Sequence, residues 1–467
     1  MPKIKTHTTE SSFHHLDRIP EKEGAFEMLR NSFRAVALFY GFEKISYSAL
    51  DDAHFYQPLA KAGLMGEHPP IIFKSGGNPD MIVRGTASLS ALRSYRSHKM
   101  NDFPQPVKVF SEAERFFSMG REDQAIARRD EISLVMAGEE GPIAEAQIVQ
   151  VIWKSLIDMG VPADRIHLAI NAIGCTQCAH HFRSSLSSHL RSKIVGLCKN
   201  CKKNFKGAPT RILACEEEKC SIATSRAPQI LDNLCERCKK HLRGFLEFLD
   251  EMGITYRIDA RRFRSGFWAD TILFEFIYNP LPIVQLAVHE DAQQAPEQAI
   301  VGAPVTLIAS DPIVAPPVLA VPKRGMTLAE GGRMTRAAEL MGAKGLEAAA
   351  GVILLDTVEQ AVSLLRNPEV KPDVYLAQLG EIARRRSLRV LETLRLAGIT
   401  VKESLGRDAI KSQLKLAEKF GAPISLILGQ KEVIDATIIV RETDSGIQET
   451  VPQEKLITFL KRRLKKV

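Results

Sequence analysis

LCKNCKKNF (residues 197–205) places two cysteines three positions apart among three lysines. All eight cysteines of the 467-residue chain fall in this neighbourhood, in four pairs: Cys175 and Cys178, Cys198 and Cys201, Cys215 and Cys220, Cys235 and Cys238. A tight turn between two such thiolates directs both sulfurs at one metal ion, and two pairs complete the tetrahedral shell of a structural zinc site. The sequence therefore predicts two structural zinc ions bound by the eight cysteines.

The four pairs can be matched into two zinc sites in three ways. There are 19 residues between Cys178 and Cys198 and 14 between Cys220 and Cys235, spacings that suit zinc ribbons and favour matching the pairs in chain order. With every ligand position filled by sulfur, neither ion keeps an open site. We therefore expect both ions to stabilise the fold and not to catalyse.

The cysteine segment is also strongly basic. From Cys175 to Phe245 there are 14 Lys and Arg against five Asp and Glu, in a chain whose net charge is +8. Such a module suits a polyanion, most commonly nucleic acid, although a solvated surface is an open alternative. The candidate phosphate contacts are Lys199, Lys202, Lys203, Lys206, Lys239 and Lys240.

Composition and length bound the class of protein. A hydrophobic content of 45% with 25% charged residues is ordinary for a globular protein, and the length suits two or three domains. No apolar run approaches the roughly 18 to 20 residues of a membrane-spanning helix. The N-terminal residues lack the apolar region of a signal peptide. We expect a cytoplasmic protein without membrane partners, where paired cysteines are more often metal ligands than disulfides.

Apolar periodicity indicates a mixed α+β domain on both sides of the cysteine segment. The predicted elements are helices over 22–40, 142–159 and 235–253 and strands over 43–50, 166–171, 254–258 and 271–278. The cysteine segment interrupts this domain between a strand and a helix.

The C-terminal third has a different organisation. Residues 279–330 are rich in Pro and Ala, and their role cannot be assigned from the sequence. From residue 370 onward, strands alternate with helices, which predicts a small α/β domain with a largely parallel sheet.

At this point the residues resemble a known family. YLAQLGEIA, LRLAGITV, KSQLKLAEKFGA, ILGQKE and SGIQETV follow in the order found in the anticodon-binding domain of class II aminoacyl-tRNA synthetases, specifically the histidyl enzyme. NAIGCTQC, LCKNCKKNF, APTRILACEEEKC and APQILDNLCERCKKH look like the insertion found in many histidyl-tRNA synthetases, and GFEKI and RGTAS resemble its catalytic core.

The resemblance implies an α+β class II synthetase-like core, built from an antiparallel sheet with helices. It also implies a zinc-binding insertion in this core and a C-terminal α/β anticodon-binding-like domain. The core would occupy residues 1–170 and 246–365, the latter including the irregular stretch 279–330. The insertion would occupy 171–245 and the anticodon-binding-like domain 370–467.

Several family motifs are altered where they serve adenylate formation. The family's F-R-x-E matches FSEA at 110–113, so the arginine and glutamate that meet ATP would be missing. The family's R-P-E-G-T has become RGT at 84–86, without the glutamate that receives the substrate's ammonium. An ammonium without a carboxylate partner binds poorly.

Three further motifs depart from the family pattern. R-G-L-D-Y-Y matches RSGFWA at 264–269, G-[IL]-E-R falls on LDTV at 355–358, and GGR at 331–333 is followed by Met and Thr in place of Tyr and Asp. Because ATP phosphates need preorganised positive charge, five independent losses favour a site that no longer performs the reaction.

The resemblance also implies which residues carry function. The remnants of the catalytic site are Arg84, Thr86, Arg121, Arg264 and Glu275. The tRNA-binding positions of the anticodon-binding-like domain are Gly429, Gln430, Lys431, Glu432 and Arg441. A homodimer is expected, paired through a helix and strand within residues 21–51.

Three functions follow as alternatives. The first is a tRNA-binding paralogue of histidyl-tRNA synthetase that has lost adenylation. The second is a divergent, active histidine–tRNA ligase that uses ATP and Mg²⁺. The third is a synthetase-derived regulatory subunit of histidine biosynthesis, a relative that typically lacks the anticodon-binding domain.

Overall fold

A computed structural model describes residues 17–65, 70–74, 80–118, 126–215, 217–259, 268–279, 325–363, 371–404 and 409–464. The chain divides into two compact units, residues 1–365 and 366–467. Most of the Pro- and Ala-rich stretch, residues 280–324, lies outside the described residues.

The first unit contains ten α-helices among its described residues. They are α1 (Pro20–Phe39), α2 (Gln57–Lys61), α3 (Ala87–Ser97), α4 (Ile143–Asp158), α5 (Thr176–Arg191), α6 (Lys199–Asn204), α7 (Glu218–Thr224), α8 (Glu236–Glu251), α9 (Thr335–Leu340) and α10 (Leu355–Ser363).

Its described strands form two sheets. They are β1 (Glu43–Lys44), β2 (Leu50–Asp52), β3 (Ile72–Phe73), β4 (Met81–Val83), β5 (Val107–Ser118), β6 (Ile126–Ala137), β7 (Ile166–Gly174), β8 (Tyr256–Ile258), β9 (Asp270–Tyr278), β10 (Met326–Arg333) and β11 (Ala348–Leu354). The large sheet has the order β1-β5-β6-β11-β10-β9-β7-β8, and β2-β4-β3 form the small one.

The large sheet is antiparallel except at its two edges, where β1 pairs with β5 and β8 pairs with β7 in parallel. Its strands alternate side chains between two cores, as the pleat requires. On one face Phe274 packs in the cluster that contains Phe33 of α1. On the other face Leu273 packs in the cluster that contains Leu92 of α3. Strands β6, β9, β10 and β11 are therefore buried on both sides.

The strand predicted over 43–50 is mostly wrong, because only Glu43–Lys44 and Leu50 are in strands. Arg84 explains the interruption. Its guanidinium donates to the carbonyls of Tyr47 and Ser48 (2.7 and 3.1 Å), so these carbonyls bond a side chain instead of a neighbouring strand.

The second unit is a five-stranded sheet with four described α-helices. Its elements are β12 (Val374–Gln378), α11 (Glu381–Leu396), β13 (Val401–Glu403), α12 (Ile410–Lys419), β14 (Ile424–Leu428), α13 (Gln430–Ile434), β15 (Thr437–Glu442), β16 (Gln448–Pro452) and α14 (Leu456–Leu464). The order is β13-β12-β14-β15-β16, with the first three strands parallel and the last two antiparallel. Together the two units confirm the predicted α+β core with a C-terminal α/β domain.

Within the described part of the chain, no helix combines the length and the apolar character needed to cross a lipid bilayer.

Candidate functional site

The eight cysteines form two groups of four within residues 175–238, the zinc module. In each group the four sulfurs lie within 4.8 Å of one another. The Sγ atoms of Cys175 and Cys178 are 3.6 Å apart, and those of Cys198 and Cys215 are 3.9 Å apart. Tetrahedral zinc with Zn–S bonds of about 2.3 Å separates its sulfurs by about 3.8 Å. Both groups therefore suit a zinc ion.

The matching of the pairs differs from the prediction. One group is Cys175, Cys178, Cys235 and Cys238, and the other is Cys198, Cys201, Cys215 and Cys220. The predicted matching in chain order is wrong, because the inner site is nested within the loop that the outer site closes. The outer pairs meet because they lie at the two points where the module leaves the core, after β7 and before α8.

The zinc ribbons expected from the cysteine spacing are not observed, because helices carry the cysteines. Cys175, Cys198 and Cys235 are the N-cap residues of α5, α6 and α8. A helix start brings an N-cap side chain and the side chain three residues later onto one turn, which is the C-x-x-C spacing. No residue described between 175 and 238 belongs to a strand.

Backbone N–H groups at these helix starts point at the sulfurs. The N–H of Cys175 donates to Cys238 Sγ (3.4 Å), and the N–H of Cys235 donates to Cys178 Sγ (3.1 Å). In the inner group the N–H of Cys198 donates to Cys220 Sγ (3.2 Å). Such donors stabilise thiolates, the form that binds zinc.

The ionisation of the thiols agrees with a cation at each group. The backbone N–H of Cys201 lowers the pKa of the Cys198 thiol to about 7, and the N–H of Cys238 does the same for Cys235. Burial raises the pKa of the Cys201 and Cys238 thiols. A metal ion is thus needed to hold all four members of a group as thiolates.

A buried ion network joins α4 and α8 to the large sheet. Arg333, retained from the GGR motif, donates to both carboxylate oxygens of Glu145 (2.7 and 2.6 Å) and to Glu347 (3.1 Å). His241 of α8 contacts the same Glu145 carboxylate (2.9 Å). Burial alone would raise the pKa of Glu145, but the hydrogen bonds from His241 and Arg333 hold it below its ordinary value. Arg333 therefore has a structural role in this chain.

The proposed catalytic remnants are also engaged in the fold or lie outside the described residues. Arg84 is buried and bonds the backbone between β1 and β2. Thr86 is buried at the N-cap of α3 without a side-chain capping bond. Arg121 and Arg264 lie outside the described residues.

The stretch matched to F-R-x-E also has a structural role. Phe110 packs edge-to-face on Phe33 of α1 (5.2 Å between ring centroids). Glu112 accepts hydrogen bonds from Arg34 (2.5 and 2.6 Å) and Lys44 (2.8 Å). Although burial raises the pKa of Glu112, these cations bring it below its ordinary value. The Glu112 carboxylate is therefore held by cations on the α1 side of the sheet.

The stretch matched to the late arginine motif carries a carboxylate. Asp356, at the start of α10, accepts the backbone N–H of Asp130 (2.7 Å), and burial raises the pKa of Asp356. Thr357 donates to the carbonyls of Thr327 and Leu354 (2.7 and 2.8 Å). These residues join β6, β10 and β11 and present no guanidinium.

Three buried glutamates lie on the Leu273 face of the sheet. Glu275 pairs in register with Glu330 across β9 and β10, and Thr327 donates to Glu275. Glu131 of β6 accepts the N–H of Ala87 (2.7 Å), while its second oxygen is buried without a hydrogen bond. The family resemblance points to Glu275 alone, whereas Glu131 and Glu330 carry only the sequence signal of a carboxylate within a buried strand.

All six predicted tRNA-binding lysines are exposed: Lys199, Lys202, Lys203 and Lys206 on the zinc module, and Lys239 and Lys240 on α8. In the second unit Gly429 is the N-cap of α13, with Gln430 and Lys431 exposed after it. Glu432 accepts the Gly429 N–H (3.0 Å) and so caps its own helix. Arg441 of β15 lies against the turn at Gly446.

Comparisons with known proteins agree with this architecture. The model of the anticodon binding domain matches residues 373–463. The histidine–tRNA ligase of Symbiobacterium thermophilum is 26% identical over 448 residues, which cover 94% of each chain. That of Caldicellulosiruptor saccharolyticus is 25% identical over 459 residues, 96% of this chain and 98% of the relative.

The crystal structure of apo histidyl-tRNA synthetase from S. aureus superposes with a TM-score of 0.69 at 21% identity, covering 99% of this chain and all of the other. This likeness shows the fold. The anticodon binding domain and the ligase relatives, which match along nearly the whole chain, support a place in the histidyl-tRNA synthetase family.

Proposed function

We propose that this chain binds tRNA through its zinc module and its C-terminal unit and does not form histidyl-adenylate. The observation that carries the proposal is Val358. The family's G-[IL]-E-R falls on residues 355–358, so its arginine position is occupied by Val358, which is buried in the apolar core. Without a guanidinium at this position, the charge that develops on the phosphates during adenylation loses a stabilising partner.

Two other placements support the loss of adenylation. Glu112 is held by Arg34 and Lys44, and Arg84 by the backbone of Tyr47 and Ser48. Freeing either group for a substrate would break these hydrogen bonds, which costs free energy. Neither group is thus available to meet ATP or an ammonium.

RNA binding is supported by the anticodon binding domain and by the exposed lysines of the zinc module. Lysines in this arrangement suit phosphates, whereas the strand ends of the second unit suit splayed bases. Two binding surfaces on one chain raise the effective concentration of each contact for the other. A full tRNA should therefore bind better than its isolated anticodon stem-loop.

An active ligase is the second candidate, favoured by the likeness to histidine–tRNA ligases along nearly the whole chain. It would require ATP and Mg²⁺. A regulatory role is the third candidate. It is supported by a Bacillus halodurans structure described as an ATP phosphoribosyltransferase regulatory subunit/histidyl-tRNA synthetase. That structure superposes with a TM-score of 0.58 at 12% identity, covering 89% of this chain and 97% of the other. The anticodon binding domain at 373–463 favours tRNA binding over that role.

The zinc ions, the subunit arrangement and the location belong to the same proposal. We propose two structural zinc ions per chain, a cytoplasmic location and a two-fold homodimer. The dimer is supported by exposed apolar side chains at the end of α1, where Leu38 and Phe39 are 60% and 84% exposed. Symmetric dimers commonly bury such surfaces. A monomer mass that is independent of concentration in sedimentation would contradict the dimer.

ATP–pyrophosphate exchange with histidine, run beside a tRNA-binding assay, tests the proposal. We expect tRNA binding without exchange. Exchange at a rate on the order of 1 s⁻¹ would replace the proposal with the active ligase. Absence of both activities would favour the regulatory role.

A further inference from the structure

The two cysteine groups differ in how firmly the fold holds them. The outer group comprises Cys175, Cys178, Cys235 and Cys238, and the inner group comprises Cys198, Cys201, Cys215 and Cys220. The outer group is carried by α5 and α8, helices of 16 residues that follow β7 and precede β8 of the large sheet. Phe182 of α5 and Phe245 of α8 are buried in the core. The outer cysteines are therefore anchored in the first unit.

Packing around Cys178 adds to this constraint. Gly174 has a left-handed backbone (φ +73°), and a Cβ atom there would lie 2.6 Å from the Cβ of Cys178 and 3.0 Å from Leu234. The backbone thus lies directly against Cys178, at a position that favours glycine. A cysteine enclosed in this way has little room to move toward another sulfur.

The inner group is carried by short elements. Cys198 caps α6 and Cys201 lies within it, and this helix has six residues. Cys220 lies on α7, which has seven residues, and Cys215 lies in the connection before α7. Helices of this length are unstable by themselves in water, so this part of the chain depends on its metal site for stability. It can therefore rearrange while the large sheet stays folded.

Cys215 is the accessible member of the inner group. It is partly exposed, whereas Cys198, Cys201 and Cys220 are buried. The sulfurs of Cys198 and Cys220 each accept a backbone N–H, but no N–H of the described residues donates to the sulfur of Cys215. Exposure and the lack of such a donor make its thiolate the most reactive of the four toward an oxidant. Two outer cysteines are also partly exposed, but the long helices that carry them resist the movement that a disulfide needs.

A partner sulfur for Cys215 lies close by. The Sγ atoms of Cys198 and Cys215 are 3.9 Å apart. The sulfurs of a disulfide are bonded at about 2.05 Å, so these two must approach by about 2 Å. The short connection that carries Cys215 permits such a movement.

We propose that the inner group is an oxidation site for hydrogen peroxide, at which Cys215 and Cys198 form a disulfide and the group releases its zinc. The Cys215 thiolate attacks one peroxide oxygen, the O–O bond breaks, and the other oxygen leaves as water after protonation. The Cys198 sulfur then attacks the sulfenic sulfur, the S–O bond breaks, and a second water leaves.

The electrons and protons of this reaction balance. Peroxide is reduced by two electrons, and two thiolates are oxidised to one disulfide. Two protons enter the two waters, and two more protonate the sulfurs of Cys201 and Cys220 as the group releases its metal. The inference rests on the structural zinc ions of the proposed function and adds that one of the two sites is redox-sensitive.

Oxidation at this site would change the predicted RNA-binding surface. Helix α6 begins at Cys198 and carries Lys199, Lys202 and Lys203. Loss of the metal site would release this helix, so the lysines would no longer present a common surface to phosphates. We expect tRNA affinity to fall by roughly tenfold, since several phosphate contacts are lost together.

Hydrogen peroxide in small molar excess, added to the full, zinc-loaded chain, tests the proposal. A chromophoric chelator follows zinc release, and mass spectrometry maps disulfides after free thiols are alkylated. One equivalent of zinc should leave at least about tenfold faster than the other, together with a disulfide between Cys198 and Cys215. The outer group is the internal control. Release of both equivalents at one rate, or a disulfide between other cysteines, would overturn the proposal.

A variant locates the reactive sulfur. Cys215→His keeps four ligands, since three cysteines and one histidine are a common zinc set, but it removes the accessible thiol. This variant should hold two equivalents of zinc and lose the fast release. Ser188→His, at an exposed position of α5, is the control and should keep the fast release. Fast release from Cys215→His would contradict the assignment, and the wild-type disulfide map decides the matter even if this variant fails to bind zinc.

Binding of tRNA separates this inference from the proposed function. Reduced protein should bind tRNA roughly tenfold more tightly than oxidised protein, and equal binding after the disulfide has formed would overturn the link to RNA. If the reduced protein binds no tRNA but fast zinc release and the disulfide are observed, the proposed tRNA function fails and the oxidation site stands. If the reduced protein binds tRNA but both equivalents leave at one rate, only the oxidation site fails.

Discussion

The zinc module and the Leu273 face of the large sheet differ in how their chemically active groups are arranged. In the module, two complete sets of four sulfurs converge to within 4.8 Å and are supported by backbone donors. By contrast, the retained charged groups Arg84, which follows β4, and Arg333, at the end of β10, are bound to other parts of the same fold. A ligand set arranged around a common centre indicates a retained function, whereas charges paired among themselves indicate a structural role.

The largest effect is expected from loss of a zinc ligand. Cys198→Ser should lower the zinc content from two equivalents per chain to about one and unfold the inner part of the module, because a structural zinc site supplies much of a small module's stability. Metal analysis and limited proteolysis measure the two effects. The second unit should remain protected.

Ser185→Ala, at an exposed position of α5, is the control and should keep both equivalents. Less than one equivalent in the wild-type protein, with native thiols that titrate fully, would show that the cysteines do not hold metal.

The buried network of the sheet should give the next largest effect. Arg333→Met leaves Glu145 without its bidentate partner, and we expect a loss of about 3–5 kcal/mol in unfolding free energy. Denaturant titration measures it. The double variant Arg333→Met with Glu145→Met removes both charges and should recover much of that loss. A neutral single variant would contradict a structural role for Arg333.

Replacing Lys199, Lys202, Lys203 and Lys206 by alanine should weaken tRNA binding by roughly tenfold or more at physiological salt, because phosphate contacts release counterions. The slope of log affinity against log salt should fall by about one for each lysine in contact. The matching four Lys→Arg changes keep the charge and should keep the slope. An unchanged slope in the alanine variant would assign these lysines to a solvated surface.

The smallest effect concerns Asp270. Burial raises the pKa of Asp270 to about 6. A carboxyl with a higher pKa in the folded than in the unfolded protein destabilises the fold once it ionises, so the penalty is absent below about pH 4 and complete above about pH 6.

Asp270→Asn should therefore raise stability by about 1–2 kcal/mol near pH 7.5, with the gain falling by about half near pH 5. Asp158→Asn, at an exposed position, should show no such pH dependence. A gain that grows as the pH falls would reverse the assignment.

The sequence predicted the elements that have strong periodicity and clear boundaries. Helix α4, strand β9 and the alternation of the second unit follow from apolar spacing and from glycines at helix ends. The strand over 43–50 failed because a distant side chain, Arg84, bonds its carbonyls. Periodicity does not carry that kind of information.

The candidate site was predictable in composition but not in arrangement. Cysteine spacing identified the ligands, yet the nested matching depends on where β7 and α8 place the outer pairs in space.

ATP–pyrophosphate exchange in the presence of histidine tests the central claim most directly. Zinc-loaded protein should bind tRNA and show no exchange above background, because the buried Val358 stands where the family motif has the arginine that meets the phosphates. Histidine-dependent exchange at about 1 s⁻¹ or faster would contradict the account and show that the sheet retains its catalytic site.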